Sequence, residues 1–127
     1  MNKKEFLDKW IHTFAPNITK SLYNKRIRDQ YIWHIFSWDI IPKSAYLKGD
    51  DARLAYNNAK KKGAICLHLW YDEETIPLTE EFYNADKLET SDGEHSEFYV
   101  VGKDFAWTYI VTHEIGMGLG PYFMSIK

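Results

Sequence analysis

Asp104-Phe105-Ala106-Trp107-Thr108-Tyr109-Ile110-Val111-Thr112-His113-Glu114, followed by Gly116-Met117-Gly118-Leu119-Gly120-Pro121-Tyr122-Phe123, is the stretch that decides the fold of this chain. Aromatic and β-branched residues dominate its first half, as expected of a strand over residues 105–112. Glycines then mark a connection, and a second strand is expected over residues 121–126. Successive side chains on a strand point to opposite faces, so Phe105, Trp107, Tyr109, Val111 and His113 should share one face. Ala106, Thr108, Ile110, Thr112 and Glu114 should share the other. On an unbroken strand His113 and Glu114 therefore diverge, and a direct His–Glu pair requires a break at Thr112.

Working back from this stretch, Gly102-Lys103-Asp104 reads as a turn and residues 97–101 as another strand. Residues 72–97 are acidic and turn-rich, with a short helix near 79–83. Residues 64–70 alternate as a strand, with Ile65, Leu67 and Leu69 on one face and Cys66, His68 and Trp70 on the other. The N-terminal half has the helical period instead. Phe6, Leu7, Trp10, Ile11 and Phe14 form one stripe, stopped by Pro16. Tyr23, Ile27, Tyr31, His34, Ile35 and Trp38 form a second, barred from continuing by Pro42. A third helix opens at Gly49-Asp50-Asp51, with Ala52, Ala55, Tyr56 and Ala59 inward. Lys60, Lys61 and Lys62 complement its negative end, and Gly63 should terminate it. The expected architecture is a single α+β domain over residues 1–127, its N-terminal helices packed on one face of a C-terminal, mostly antiparallel sheet of about four strands.

Composition narrows the classes of function. Aromatic residues make up 17% of the chain, which lets 127 residues build an adequate core. Cys66 is the single cysteine, so no internal disulfide forms. The charged opening residues offer no signal-peptide core, and no apolar run is long enough to span a bilayer; a cytoplasmic protein without membrane contact is expected. The net charge of -2 hides a strong asymmetry. Residues 1–63 hold 13 basic against 6 acidic residues, whereas residues 72–97 hold 10 acidic residues against Lys87 alone. Trp33, Trp38, Trp70 and Trp107 suit base stacking, but the sheet half lacks positive charge, which argues against nucleic acid.

Few residues carry chemistry. His113-Glu114 lacks the second histidine of a zinc-protease motif. Cys66 and His68 face the same way on a strand, and His113 or His34 would have to supply a third ligand, yet nothing in the sequence forces those residues together, so neither metal nor cofactor is expected. His34 lies on the apolar stripe of the second helix, where a histidine is usually half-buried and hydrogen-bonded. Gly116, Gly118 and Gly120 lack the downstream helix of a phosphate-binding loop and read as a hairpin connection.

The segments Tyr31-x-Trp33-His34-x-Phe36-Ser37 and Asp104-Phe105-x-Trp107-Thr108-Tyr109-x-x-Thr112-His113-Glu114, with Gly120-Pro121-Tyr122-Phe123, resemble a family of small bacterial proteins described as a domain of unknown function. The similarity runs from Trp10 to Phe123. It implies a cytosolic bacterial setting and brings no activity or cofactor with it.

Two functions compete. The leading expectation is a non-enzymatic interaction module, immunity-like or regulatory, whose protein partner is met through the acidic 72–97 region. Trp107, Tyr109, His113, Glu114 and Tyr122 are its binding residues, and the aromatic surplus also suits a homodimer interface. The alternative is a small hydrolase or nuclease in which His34, His68, His113 and Glu114 line one cleft, with His113 or His34 as general base. Convergence of those four side chains is the geometric test.

Overall fold

A computed structural model describes residues 1–16, 18, 33–37, 40–69, 71–91 and 96–126, with only the backbone of His34 and Ser37. Helix α1 is Lys3–Phe14. The side chain of Asn2 accepts from the Glu5 N–H at 2.8 Å while Glu5 reaches back to the Asn2 N–H at 3.0 Å, a reciprocal cap. The N-terminus is also tied to the acidic segment: the Lys3 N–H donates to Glu73 O, and the Thr75 N–H to Met1 O.

Of the expected second helix, α2 (His34–Ser37) is the described part; Tyr23, Ile27, Tyr31 and Trp38 lie outside the described residues. Helix α3 is Asp50–Asn58 and stops at Ala59, earlier than Gly63 predicts. The physical reason is Lys61, whose Nζ turns back to donate to Tyr56 O and Ala59 O and so satisfies carbonyls at the helix end. The expected short helix near 79–83 is a 3₁₀ turn, Glu80–Phe82, and a further helix, α4 (Ala85–Thr90), follows it.

The chain is α+β, and among the described residues the sheet has six strands rather than about four, in the order β1-β6-β5-β4-β2-β3 with every pair antiparallel. The expected strands are β2 (Ile65–His68), β4 (Phe98–Val101), β5 (Trp107–Val111) and β6 (Tyr122–Ser125). The additional edges, β1 (Leu47–Lys48) and β3 (Ile76–Pro77), have two residues each, too few to show a period in sequence.

Helices cover both faces of this sheet. On one face, Phe6, Trp10 and Phe14 of α1 pack with Leu67, Tyr99, Val101, Ile110 and Tyr122. On the other, Ala52 and Tyr56 of α3 and Leu88 of α4 pack with Cys66, Phe98, Val100, Tyr109 and Val111. The N-terminal helix takes one face as expected, and α3 takes the opposite one. The cause is that every residue of β4 and β5 is buried, so neither face is left for solvent. Within β5, Thr108 accepts from Trp10 Nε1 at 2.8 Å and donates to Val100 O at 2.9 Å.

Strand alternation begins only at Trp107, not at Phe105. Asp104 and Phe105 have φ of 59° and 56°, a left-handed pair that costs about 1–3 kcal/mol per residue. This reversal carries the Phe105 ring to the α1 face, where it meets Phe6 at 5.7 Å and Phe14 at 6.5 Å. Apolar burial of the ring offsets the strain. Trp107, by contrast, packs on the α3 face against Tyr56 and Phe123.

The central strands define two ends of the molecule. At one end β2 and β5 begin and β4 and β6 finish, beside Lys60, Lys62 and Lys103. At the other end β4 begins and β2 and β5 finish, beside Glu97, His113 and Asp72.

Candidate functional site

The second of these ends holds the densest polar arrangement in the described residues. Strand β5 stops at Val111, and Thr112 makes the turn that the His113-Glu114 pair requires. The Thr112 hydroxyl donates to Leu119 O and accepts from the Glu114 N–H at 3.1 Å. Released from the strand, His113 Nε2 lies 3.9 Å from Glu114 Oε1, a loose ion-pair distance and too long for a hydrogen bond.

The true partner of His113 is Glu97. Its Oε2 accepts from the His113 backbone N–H at 2.8 Å and lies 2.6 Å from Nδ1. Its Oε1 accepts from Trp33 Nε1 at 2.5 Å. The Trp33 ring stands edge-on to the imidazole with centroids 6.0 Å apart. The Glu97 side chain is 0% exposed, so burial pushes its carboxyl up from the ordinary value, opposed by the His113 bonds and the Trp33 bond. A carboxylate accepting at Nδ1 fixes the tautomer and leaves Nε2 directed toward Glu114. His113, at 24% side-chain exposure, is reachable from solvent. This is the geometry of an oriented base, and equally that of a buried charge held by three donors.

The other sequence candidates are distributed differently. His68 is on the α3 face, stacked on Tyr71 at 4.8 Å and edge-on to Phe98 at 4.5 Å, while Glu97 and His113 meet Trp33 on the α1 face. The structure thus brings His113 and Glu114 together and leaves His68 across the sheet. The His34 side chain lies outside the described residues. Of the expected binding residues, Tyr109 and Tyr122 are fully buried and Trp107 nearly so. Their aromatic area went into the two cores: Tyr109 stacks on Tyr56 at 4.2 Å and Tyr122 on Phe36 at 4.7 Å. Tyr109 and Tyr122 present no contact surface to a partner, because their side chains are enclosed between the sheet and its covering helices.

Among the described residues of the acidic 72–97 region, some carboxylates are engaged within the fold. Asp72 accepts from the His68 N–H at 2.8 Å, and Glu89 clamps Arg53 through Nε and Nη2, each at 2.8 Å. That clamp, with Asp50 on Arg53 Nη1 at 2.7 Å, ties α3 to α4 and holds the guanidinium pKa above its ordinary value. Among the described residues of this region, Glu73, Glu74, Glu80, Glu81 and Asp86 are exposed.

Among the described residues no three His, Cys, Asp or Glu side chains are grouped to hold a metal ion. Cys66 is buried, and burial, with a contribution from Asp72, pushes its thiol up to about 12, so it stays protonated at neutral pH. Sequence reasoning passed over Glu97 because it counted as one acid in an acidic block. Its signal was alternation: Glu97 shares a face with Tyr99 and Val101, so an acid directly before four apolar strand residues points inward. Arg53 gave no signal, since its partner Glu89 is 36 residues away.

No helix among the described residues is long and apolar enough to cross a membrane. Neither a curated protein nor a solved structure matches the chain. The family model for the domain of unknown function DUF4275 matches residues 3–123, slightly more than the Trp10–Phe123 span over which the resemblance runs, and the chain belongs to that family.

Proposed function

We propose that this protein is a non-enzymatic, cytoplasmic interaction module, immunity-like or regulatory, that binds a basic protein surface along the acidic segment leading into its edge strand β3. One observation carries this reading. Tyr71 is 70% exposed and Ile76 46% exposed, next to the exposed carboxylates Glu73 and Glu74, on and just before the edge strand β3. Exposed apolar side chains flanked in sequence by exposed carboxylates suit a contact patch: the apolar groups supply contact area, and the acids select and steer a cationic partner. The N-terminal strap and the His68–Asp72 turn fix this segment from behind, so little ordering is needed on binding. The test is affinity capture with wild type and with the triple variant Tyr71→Ser/Glu73→Lys/Glu74→Lys. A basic protein retained by wild type, crosslinked to the 71–81 segment and lost both in the variant and in high salt supports the proposal. Capture that the variant leaves intact rejects it, and so does self-association of wild type that the variant abolishes, which would make the patch a homodimer interface.

A second reading is favoured by the Glu97–His113 geometry: a small hydrolase or nuclease with His113 as general base and Glu114 beside its Nε2. Its test is turnover of aryl ester and phosphodiester substrates by wild type, His113→Ala and Glu97→Gln. Turnover that disappears in His113→Ala while the variant remains folded would establish it; absence of turnover in wild type would leave the His113 node as structure.

A further inference from the structure

The opposite end of the sheet contains a cavity of about 420 Å³ that the acidic patch does not involve. Its walls come from the end of α3, with Ala59, Lys60 and Lys62, and from the strained turn into β5, with Lys103, Asp104, Ala106 and Trp107. The three consecutive lysines divide their work. Lys61 folds inward onto the helix carbonyls and over the Tyr56 ring at 4.4 Å, which leaves its two neighbours at the cavity mouth. Lys60, Lys62 and Lys103 are exposed, and none of the three has a carboxylate partner at ion-pair distance among the described residues. Against them stands one acid, Asp104.

The floor is apolar and rigid. The Trp107 indole is stacked on Phe123 at 5.7 Å and set edge-on against Tyr56 at 5.7 Å. Its Nε1 edge closes on Gly102, where an added Cβ would fall 2.2 Å from Nε1, so only glycine allows this approach. The Lys103 stem lies along Gly63, where a Cβ would meet the stem at 3.1 Å. The left-handed Asp104–Phe105 pair, locked by the Phe105 ring in the α1 core, holds Lys103 and Ala106 on one lip.

We propose that this cavity binds a small amphipathic organic anion, with an aromatic or short aliphatic body against Ala59, Ala106 and Trp107 and a carboxylate or phosphate among Lys60, Lys62 and Lys103. The volume is within the range of small-molecule sites, and an apolar lining with a few convergent polar groups is their usual composition. Ammonium groups act as mobile point charges that accept either anionic headgroup without demanding a fixed fork geometry. A neutral ligand of the same shape would leave three cations facing the single acid Asp104 and gain only the apolar contact.

The experiment uses anilinonaphthalenesulfonate fluorescence on the full chain, with octanoate, naphthyl phosphate, octanol, naphthol and inorganic phosphate as competitors. Saturable binding at one site is expected, displaced by octanoate or naphthyl phosphate, and at least about tenfold less effectively by octanol, naphthol or phosphate alone. The Lys60→Gln/Lys62→Gln/Lys103→Gln variant should bind at least about tenfold more weakly, and salt should weaken wild-type binding. Ala106→Leu, which fills the cavity from an exposed position without touching charge, should abolish binding while leaving thermal unfolding unchanged. Which of octanoate and naphthyl phosphate competes better identifies the headgroup and body. The proposal is overturned if wild type shows no saturable binding, if neutral competitors match the anions, or if both folded variants bind like wild type.

Discussion

The two ends of the sheet treat charge in opposite ways. At the Glu97 end a carboxylate is withdrawn fully from water and surrounded by three donors, from Trp33 and from the backbone and ring of His113. At the Lys103 end three ammonium groups stay in solvent around an apolar hollow, and only Lys61 between them is drawn in. A buried charge must be compensated inside the fold, so its partners are determined and its loss is felt by the whole domain. Exposed charges around a hollow have no internal obligation and contribute little to stability. The first arrangement therefore belongs mainly to stability and orientation, the second to what the protein meets from outside.

Glu97→Ala breaks this comparison hardest. It strips the buried Trp33 donor and the two partly buried His113 donors of their acceptor and should cost about 3–5 kcal/mol, enough to unfold a marginal domain, as read from urea denaturation. A loss below about 1 kcal/mol would mean that water replaces the carboxylate easily, and the contrast between the ends would collapse.

A smaller effect is expected from pH. Burial, opposed by the His113 and Trp33 bonds, raises the Glu97 carboxyl above its ordinary value of 4.5. The folded chain then keeps a proton over a range where the unfolded chain has lost it. The contribution of Glu97 is accordingly full below the ordinary value and is lost as pH rises through the raised one, with a slope of up to about 1.4 kcal/mol per unit. Glu97→Gln removes that slope. Unfolding free energies of the two proteins across the acidic to neutral range should converge or cross, and a difference that stays constant with pH would refute the assignment.

The finest discrimination lies within the lysine run. Lys61→Ala removes two donors to helix-end carbonyls and should cost about 1–2 kcal/mol, while Lys60→Gln and Lys62→Gln should each stay within about 0.5 kcal/mol. Thermal unfolding of the three variants separates them. Equal losses at all three would show that Lys60 and Lys62 also serve the fold, and would weaken the case for a ligand at their end.

Much of the architecture was legible without coordinates. The apolar stripe of Phe6, Trp10, Ile11 and Phe14 announced α1, because side chains three and four apart share a helix face. The strands β2, β4, β5 and β6 were located by β-branched and aromatic runs, and the glycine-rich 116–120 connection was read correctly as joining neighbouring antiparallel strands. Two-residue edges carry no period and could not be read. The Phe105 reversal was hidden because a bulky residue at positive φ contradicts local preference and is held there only by distant Phe6 and Phe14.

The sequence by itself determined the α+β class, the antiparallel core strands and the condition for His113 and Glu114 to approach each other, since all three rest on spacing along the chain. Only the tertiary structure decided that α1 and α3 take opposite faces, that Glu97 rather than Glu114 holds His113, and that Lys60, Lys62 and Lys103 meet around Trp107. Each of those depends on pairings between residues far apart in sequence, which register and packing select and which no local period encodes.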